Sequence, residues 1–250
     1  MKTILQIIFF ALLPSMTLAQ TDTVYVYGPG GPFPAMNEAA QLFTQQRQTP
    51  VKVVKGPVAN WKAATEKNAD IIFSGSEFMM TNFINTFQDI APETVTPLYL
   101  RRSGILVRPG NPKNIHTLAD LLKPDVNILV VNGAGLTGIW EDMVGKTHSI
   151  DTLKLFRRNI QCYAANSGVA KKEWIQNLNI DAWITWNIWQ VANANIADFV
   201  ALPERYTLYR DCGAALTRKG IEHKKAVTFF EFLQSDVAKP IFRKWGWIVE

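Results

Sequence analysis

Histidine and cysteine are scarce in this chain of 250 residues, with three of the first and two of the second. His116, His148 and His223 stand far apart, and none has metal-ligand spacing to Cys162 or Cys212, so no metal site and no cofactor are expected. Long apolar runs are lacking too. The run over residues 4–13 is shorter than the ~20 residues a membrane helix needs, and no other window offers a span. No block of Lys or Arg marks a nucleic-acid or lipid-surface binder, while a net charge of +5 suits an anionic small ligand. A Gly-x-Ser-x-Gly elbow is absent, and no His sits beside an acidic partner at a recognisable spacing. Hydrolase chemistry is therefore not expected. Internal repeats and low-complexity segments are also missing.

What is present begins with a leader. Lys2, the apolar stretch 4–13 and Thr17-Leu18-Ala19 read as a signal peptide over residues 1–19, without a lipobox cysteine. The mature chain is then an exported protein of the periplasm or cell surface. Its ~230 residues suffice for one large core or two medium lobes. In an oxidising compartment Cys162 and Cys212 are expected to pair, which the chain-entropy model values at about 4 kcal/mol. Two separate buried thiols are the alternative.

The mature chain is organised around its opening. Residues 24–27 alternate like a strand and stop at Gly28-Pro29-Gly30-Gly31-Pro32-Phe33-Pro34. A helical stripe of Met36, Ala39, Ala40 and Phe43 follows. Glycines let backbone approach a ligand, Pro34 suits a first helical turn, and the helix start offers free N–H groups and the positive end of a dipole. An anion is the natural occupant of such a turn. The same logic recurs. Strand-like 51–55 ends at Gly56-Pro57 before Trp61, and buried 69–73 ends at Ser74-Gly75-Ser76. Strand 127–131 ends in Asn132-Gly133-Ala134-Gly135-Leu136-Thr137-Gly138. The β-like segment 159–164 feeds Asn166-Ser167-Gly168 and a helix over 169–176, and strand 182–186 ends with Thr185 and Trp186. Strands alternating with helices predict parallel βαβ units, whose ligands gather at the carboxyl ends of strands. The glycine turn at 132–138 lacks both the Walker lysine and the third glycine of a dinucleotide fingerprint. Residues 103–108 and 208–217 read as two crossings between lobes, and the helical patterns 223–233 and 237–245 as packing back on the first lobe.

Together, Tyr27-Gly28-Pro29-Gly30-Gly31-Pro32, the segment from Gly135 to Met143, Asn166-Ser167-Gly168, Asp181-Ala182-Trp183-Ile184-Thr185-Trp186 and Lys244-Trp245-Gly246-Trp247 make the chain resemble the accessory colonization factor AcfC family. That family includes the attaching-effacing-associated adhesin Paa. The resemblance implies a two-lobed α/β fold of the type II periplasmic-binding-protein kind. Each lobe is a mostly parallel sheet flanked by helices, with two hinge crossings. Lobe 1 would comprise residues 20–104 and 214–250, lobe 2 residues 105–213. It also implies capture of a small carboxylate, phosphate ester or inorganic oxyanion in the cleft, a role in adhesion or colonisation at the host-cell surface, and a homodimer. Carried onto this sequence, the ligand-binding set is Gly30, Gly31, Trp61, Ser74, Gly75 and Ser76 from one lobe. The other lobe gives Gly135, Thr137, Gly138, Asn166, Ser167, Gly168, Thr185 and Trp186.

Arg101, Arg102 and Arg210 flank the crossings. One can clamp a carboxylate bidentately, but solvated hinge-side positions are the ordinary expectation. Trp183, Trp186 and Trp189 at three-residue spacing are ordinarily packing residues, with Trp186 placed by its strand end to touch ligand. Glu141 and Asp142 suit a helix N-terminus better than a catalytic pair.

Overall fold

The computed structural model describes residues 22–250; the expected signal peptide over 1–19 lies outside them. The opening strand β1 (Val24–Gly28) leads through the proline-glycine turn to α1 (Phe33–Arg47). Ala35, Met36, Ala39, Ala40 and Phe43 form the buried face of α1, the stripe its spacing predicts. Then come β2 (Val51–Lys55), α2 (Lys62–Asn68), β3 (Ile71–Phe73), α3 (Glu77–Thr86) and the long β4 (Thr96–Val107). The second half holds β5 (Ile128–Val131), α4 (Ile139–Gly145), α5 (Ile150–Asn159), β6 (Ile160–Ala164), α6 (Ser167–Gln176), β7 (Ala182–Trp186), α7 (Asn187–Val191) and β8 (Asp198–Val200). The chain returns through β9 (Tyr209–Leu216) and ends in α8 (Arg218–Glu222), α9 (Lys224–Phe232) and α10 (Lys239–Lys244).

The strands run in the order β2-β1-β3-β9-β4-β7-β5-β6, with β8 against β4. β1 is parallel to β2 and β3, and β5 is parallel to β6 and β7. The crossing strands are the antiparallel ones. β4 pairs with β9 from Thr96↔Ala214 to Arg102↔Tyr209, and from Ser103 onward with β7. One strand thus leaves the first sheet and enters the second. This is the two-lobed α/β fold expected. The first crossing is longer than residues 103–108 suggest, because Pro97 sits at a register shift of the ladder instead of ending it.

Side chains hold the chain's end to its beginning. Phe43 of α1 meets Phe229 and Phe232 of α9 edge-on, at 5.1 and 5.3 Å between centroids. Lys244 Nζ and Trp245 Nε1 both donate to the Glu38 carboxylate, at 2.8 and 2.7 Å. Burying each aromatic contributes roughly 1.5–3 kcal/mol, far more than the exposed Lys244–Glu38 pair. Capping explains a shifted boundary: Asn166 Oδ1 accepts from Val169 N–H, so α6 starts at Ser167 and not at Val169.

Cys162 and Cys212 are free thiols, which corrects the expected disulfide. Cys162 lies on β6 and Cys212 on β9, with β4, β7 and β5 between them. Four strand spacings of ~4.8 Å put them about 19 Å apart, well beyond the ~7 Å limit for bridging Cα atoms.

Candidate functional site

The carboxyl ends of β1, β2, β3, β5 and β6 and the start of α7 open on one cavity of about 450 Å³. Its walls are turns. The β1–α1 turn gives Pro29 to Pro32, the end of β2 gives Lys55 and Gly56, and the β3–α3 turn gives Gly75 and Met79. From the other half come Gly135 and Leu136, Asn166 to Gly168 with Lys171, and Trp189 with Asn193. Arg101 of β4 reaches it from the crossing. The N-terminus of α1 has no side-chain cap, and Gly30, Gly31 and Pro32 from its approach and Pro34 of its first turn line the wall. The charge is one-sided: among the described residues, Lys55, Arg101 and Lys171 line the cavity and no Asp or Glu does.

Arg101 is the central group. It is only 3% exposed. Its guanidinium carbon lies 4.7 Å from the centre of the Trp186 ring and 5.4 Å from that of Trp247. Nη2 donates to the Gly75 carbonyl, and Nε has no partner among the described residues. Burial pushes its pKa down to about 9, against an opposing pull from Cys212 and Asp211. Three glycines surround it. A Cβ on Gly31 would stand 3.0 Å from Nη1; one on Gly75 would stand 2.8 Å from Nη2, and one on Gly135 3.1 Å from Nη2. Glycine at these positions lets backbone from both halves close around one cation. Together they hold a desolvated guanidinium against glycine backbone at the cavity, a group suited to an oxyanion through short charge-assisted hydrogen bonds.

Of the sequence-derived set, Gly30, Gly31, Gly75, Gly135, Asn166, Ser167 and Gly168 line the cavity. The others are placed elsewhere. Trp61 is buried among Tyr27, Phe83 and Phe87, its Nε1 donating to the Gly56 carbonyl. The Ser76 hydroxyl caps α3 by accepting from Met79 N–H. Ser74 is fully buried, its Oγ 3.3 Å from where a Gly213 Cβ would stand. Thr185 is buried on β7 beside Gly104. Gly138 adopts φ 76° as the residue before α4, a turn requirement. The Thr137 carbonyl accepts from Arg210 Nη2 at 3.1 Å. Trp186 lies beneath the site, stacked with Arg101 and donating Nε1 to the Gly135 carbonyl at 3.3 Å.

Arg210 occupies the rim behind that turn. It donates to the carbonyls of Gly135 and Thr137 and lies 3.5 Å from Asp142. The second half's glycine turn is thereby tied to the return strand β9. Sequence reasoning left out Lys55, Lys171 and Trp189 as ligand-facing groups, and weighed Arg101 only as one of three arginines at the crossings, with a solvated position as the ordinary expectation. For Arg101 a signal existed. Strand periodicity puts it on the face of β4 shared by Tyr99, Ser103, Ile105 and Val107, all buried.

No group of three or more His, Cys, Asp or Glu suited to a metal occurs among the described residues. No helix among them is long and apolar enough to cross a membrane.

Residues 24–248 match the family model described as a bacterial extracellular solute-binding protein. The chain is similar to PEB3 in a structure titled as bound to L-phospholactate: 36% identity, 91% of this chain and 100% of that one, TM-score 0.86. It is likewise similar to Peb3 from Campylobacter jejuni, with 35% identity over the same shares and a TM-score of 0.83. The sulfate-binding protein SubI from Mycobacterium tuberculosis shares the fold at 17% identity, 90% of this chain and 86% of that one, TM-score 0.75. No curated protein sequence matches.

Proposed function

The chain belongs to the bacterial extracellular solute-binding protein family, and from that premise we propose that it captures a small anion carrying phosphate or carboxylate groups in the cavity over Arg101. One observation carries this reading: three cations and the backbone turns of both halves line the cavity, and no Asp or Glu among the described residues lines it. Gly30, Gly31 and Gly75 would present amides from one side, and Gly135, Asn166, Ser167 and Gly168 from the other, with Arg101 as the buried counter-charge. The phospholactate in PEB3 is the kind of ligand this chemistry suits. We assign lobe 1 to residues 20–104 and 214–250 and lobe 2 to residues 105–213, hinged through β4 and β9. Export rests on the leader read over residues 1–19, while a homodimer and an adhesive role at the host-cell surface come from the AcfC/Paa likeness alone.

The test is a thermal-shift panel of L-phospholactate, citrate, phosphate, sulfate and molybdate. At 100-fold excess over its Kd a ligand adds about 2.7 kcal/mol, which is a rise of about 5–10 °C for a domain of this size. An unmoved midpoint with every anion contradicts the reading. Adhesion is separable: a Gly31→Glu variant that loses anion binding and keeps host-cell binding places adhesion on the outer surface.

A further inference from the structure

Three side-chain oxygens that anion capture does not use converge where β3 meets β9. Ser74 follows β3, and its N–H donates to the Gly213 carbonyl of β9 at 2.8 Å, which sets the two residues side by side. Asp211, two residues before Gly213 on the same strand, shares its face. Glu77 opens α3 three residues after Ser74. The place a Gly213 Cβ would take lies 3.0 Å from Asp211 Oδ2, 3.3 Å from Ser74 Oγ and 3.6 Å from Glu77 Oε1. Gly213 is not among the left-handed glycines, so its missing side chain supplies room and not a backbone conformation.

Two of these oxygens lack what a buried polar atom ordinarily has. Ser74 is fully buried and Asp211 is 7% exposed, yet Ser74 Oγ and Asp211 Oδ2 have no hydrogen-bond partner among the described residues. Glu77 is exposed, so solvent reaches the space from its side. The charge is as one-sided here as in the cavity, with the opposite sign. Neither Glu77 nor Asp211 takes part in an ion pair among the described residues. Arg101 feels the charge of Asp211 but leaves from the other face of the ladder, where it pairs with Arg210; Asp211 pairs with Leu100. Two full negative charges also outweigh the half-charge at the start of α3.

Independently of the anion reading, we propose that Asp211, Ser74 and Glu77 form a site for one hard divalent cation, with calcium as the ion it suits best. The donors are all oxygen, with no imidazole or thiolate to draw zinc or copper. Calcium accepts six to eight oxygens in irregular geometry, so water entering past Glu77 completes its shell; magnesium demands a near-ideal octahedron. A water molecule could satisfy Ser74 Oγ and Asp211 Oδ2, but it would leave two carboxylates facing one space with no counter-charge. The ion fastens the β3–α3 turn to the return crossing β9, and that turn carries the Gly75 carbonyl that accepts from Arg101.

The test is melting and calorimetric titration of the full chain after treatment with a chelator. Calcium chloride at about 10 mM, roughly tenfold above a Kd of ~1 mM, should raise the thermal midpoint by about 3–6 °C over sodium chloride of equal ionic strength. Glu77→Gln changes an exposed side chain, should leave the fold intact and should weaken calcium at least about tenfold. Gly213→Ala keeps both carboxylates and fills the space between them; it should abolish calcium binding, as should Asp211→Asn. Crystals grown with calcium should show density heavier than water at about 2.3–2.6 Å from Asp211 Oδ2 and Ser74 Oγ. No rise beyond that of sodium chloride overturns the proposal. So does a rise that survives both Glu77→Gln and Gly213→Ala, which marks an adventitious ion only, and so does a water in place of the ion at saturating calcium. None of these outcomes bears on anion capture, which the thermal-shift panel decides separately.

Discussion

Replacing Arg101 by methionine should separate stability from function. The guanidinium is buried, partnered by one carbonyl and two indole faces, and leaves Nε unsatisfied. Removing a charge from water costs several kcal/mol, and substitution of buried charges by well-packed apolar groups is often neutral or stabilising by about 1–4 kcal/mol. Methionine has the length to lie against Trp186 and Trp247 and the flexibility to fill the space between Gly31, Gly75 and Gly135. The Gly75 carbonyl loses its donor but borders the open cavity, where water can replace it. The thermal midpoint of Arg101→Met without ligand should therefore hold or rise. Affinity should fall steeply. Hydrogen bonds to a charged group are worth about 1.5–3 kcal/mol each. At 1.4 kcal/mol per factor of ten, loss of one such bond weakens the Kd by roughly 10- to 100-fold and loss of two by up to about 10⁴-fold. Differential scanning calorimetry with and without L-phospholactate reads both quantities. A variant that binds as tightly as the parent refutes the role given to Arg101. One that melts far lower without ligand refutes the claim that the buried charge is held for binding at a cost to the fold.

Three further outcomes follow from the same geometry. Arg210→Gln releases the carbonyls of Gly135 and Thr137 and should weaken anion binding about tenfold while costing about 1 kcal/mol or less of stability; calorimetric titration and melting read the two separately. Alkylation of the native protein should label the partly exposed Cys162 and spare buried Cys212, intact mass after unfolding should count two free thiols, and dithiothreitol should leave the melting point unchanged. Glu77 binds its proton more tightly folded than unfolded, so its contribution is complete below about pH 4.5 and is lost as pH rises through the folded value. The thermal midpoint of the unliganded protein should carry that fall with pH, and Glu77→Gln should remove it.

The alternation of strand, glycine turn and helix was readable because each signal is local. Gly28 to Gly31, Gly75, Gly135 and Asn166 to Gly168 are where the chain must reverse, and in a parallel sheet all such reversals face one way. Hydroxyl and aromatic side chains were harder to place. A serine after a strand can donate to a ligand or cap the helix that follows, and Ser76 does the second. Trp61 looked like a cavity residue beside Gly56, yet its ring fills the space between Tyr27, Phe83 and Phe87, whose proximity depends on how α2 and α3 cross the sheet. The thiol pair failed for the same reason. Compartment favours bridging, but strand order decides distance, and three strands separate Cys162 from Cys212. Arg101 was hidden by its charge: an arginine is ordinarily at the surface, and only its partners on the inner face of β4 say otherwise.

The most direct test is a crystal structure of the protein grown with L-phospholactate. The account predicts anion density over Arg101, with oxygens in hydrogen-bond range of the guanidinium and of backbone amides from the Gly31 and Ser167 turns. A cavity that holds only water at a ligand concentration saturating every binding assay, or an anion seated away from Arg101, contradicts it.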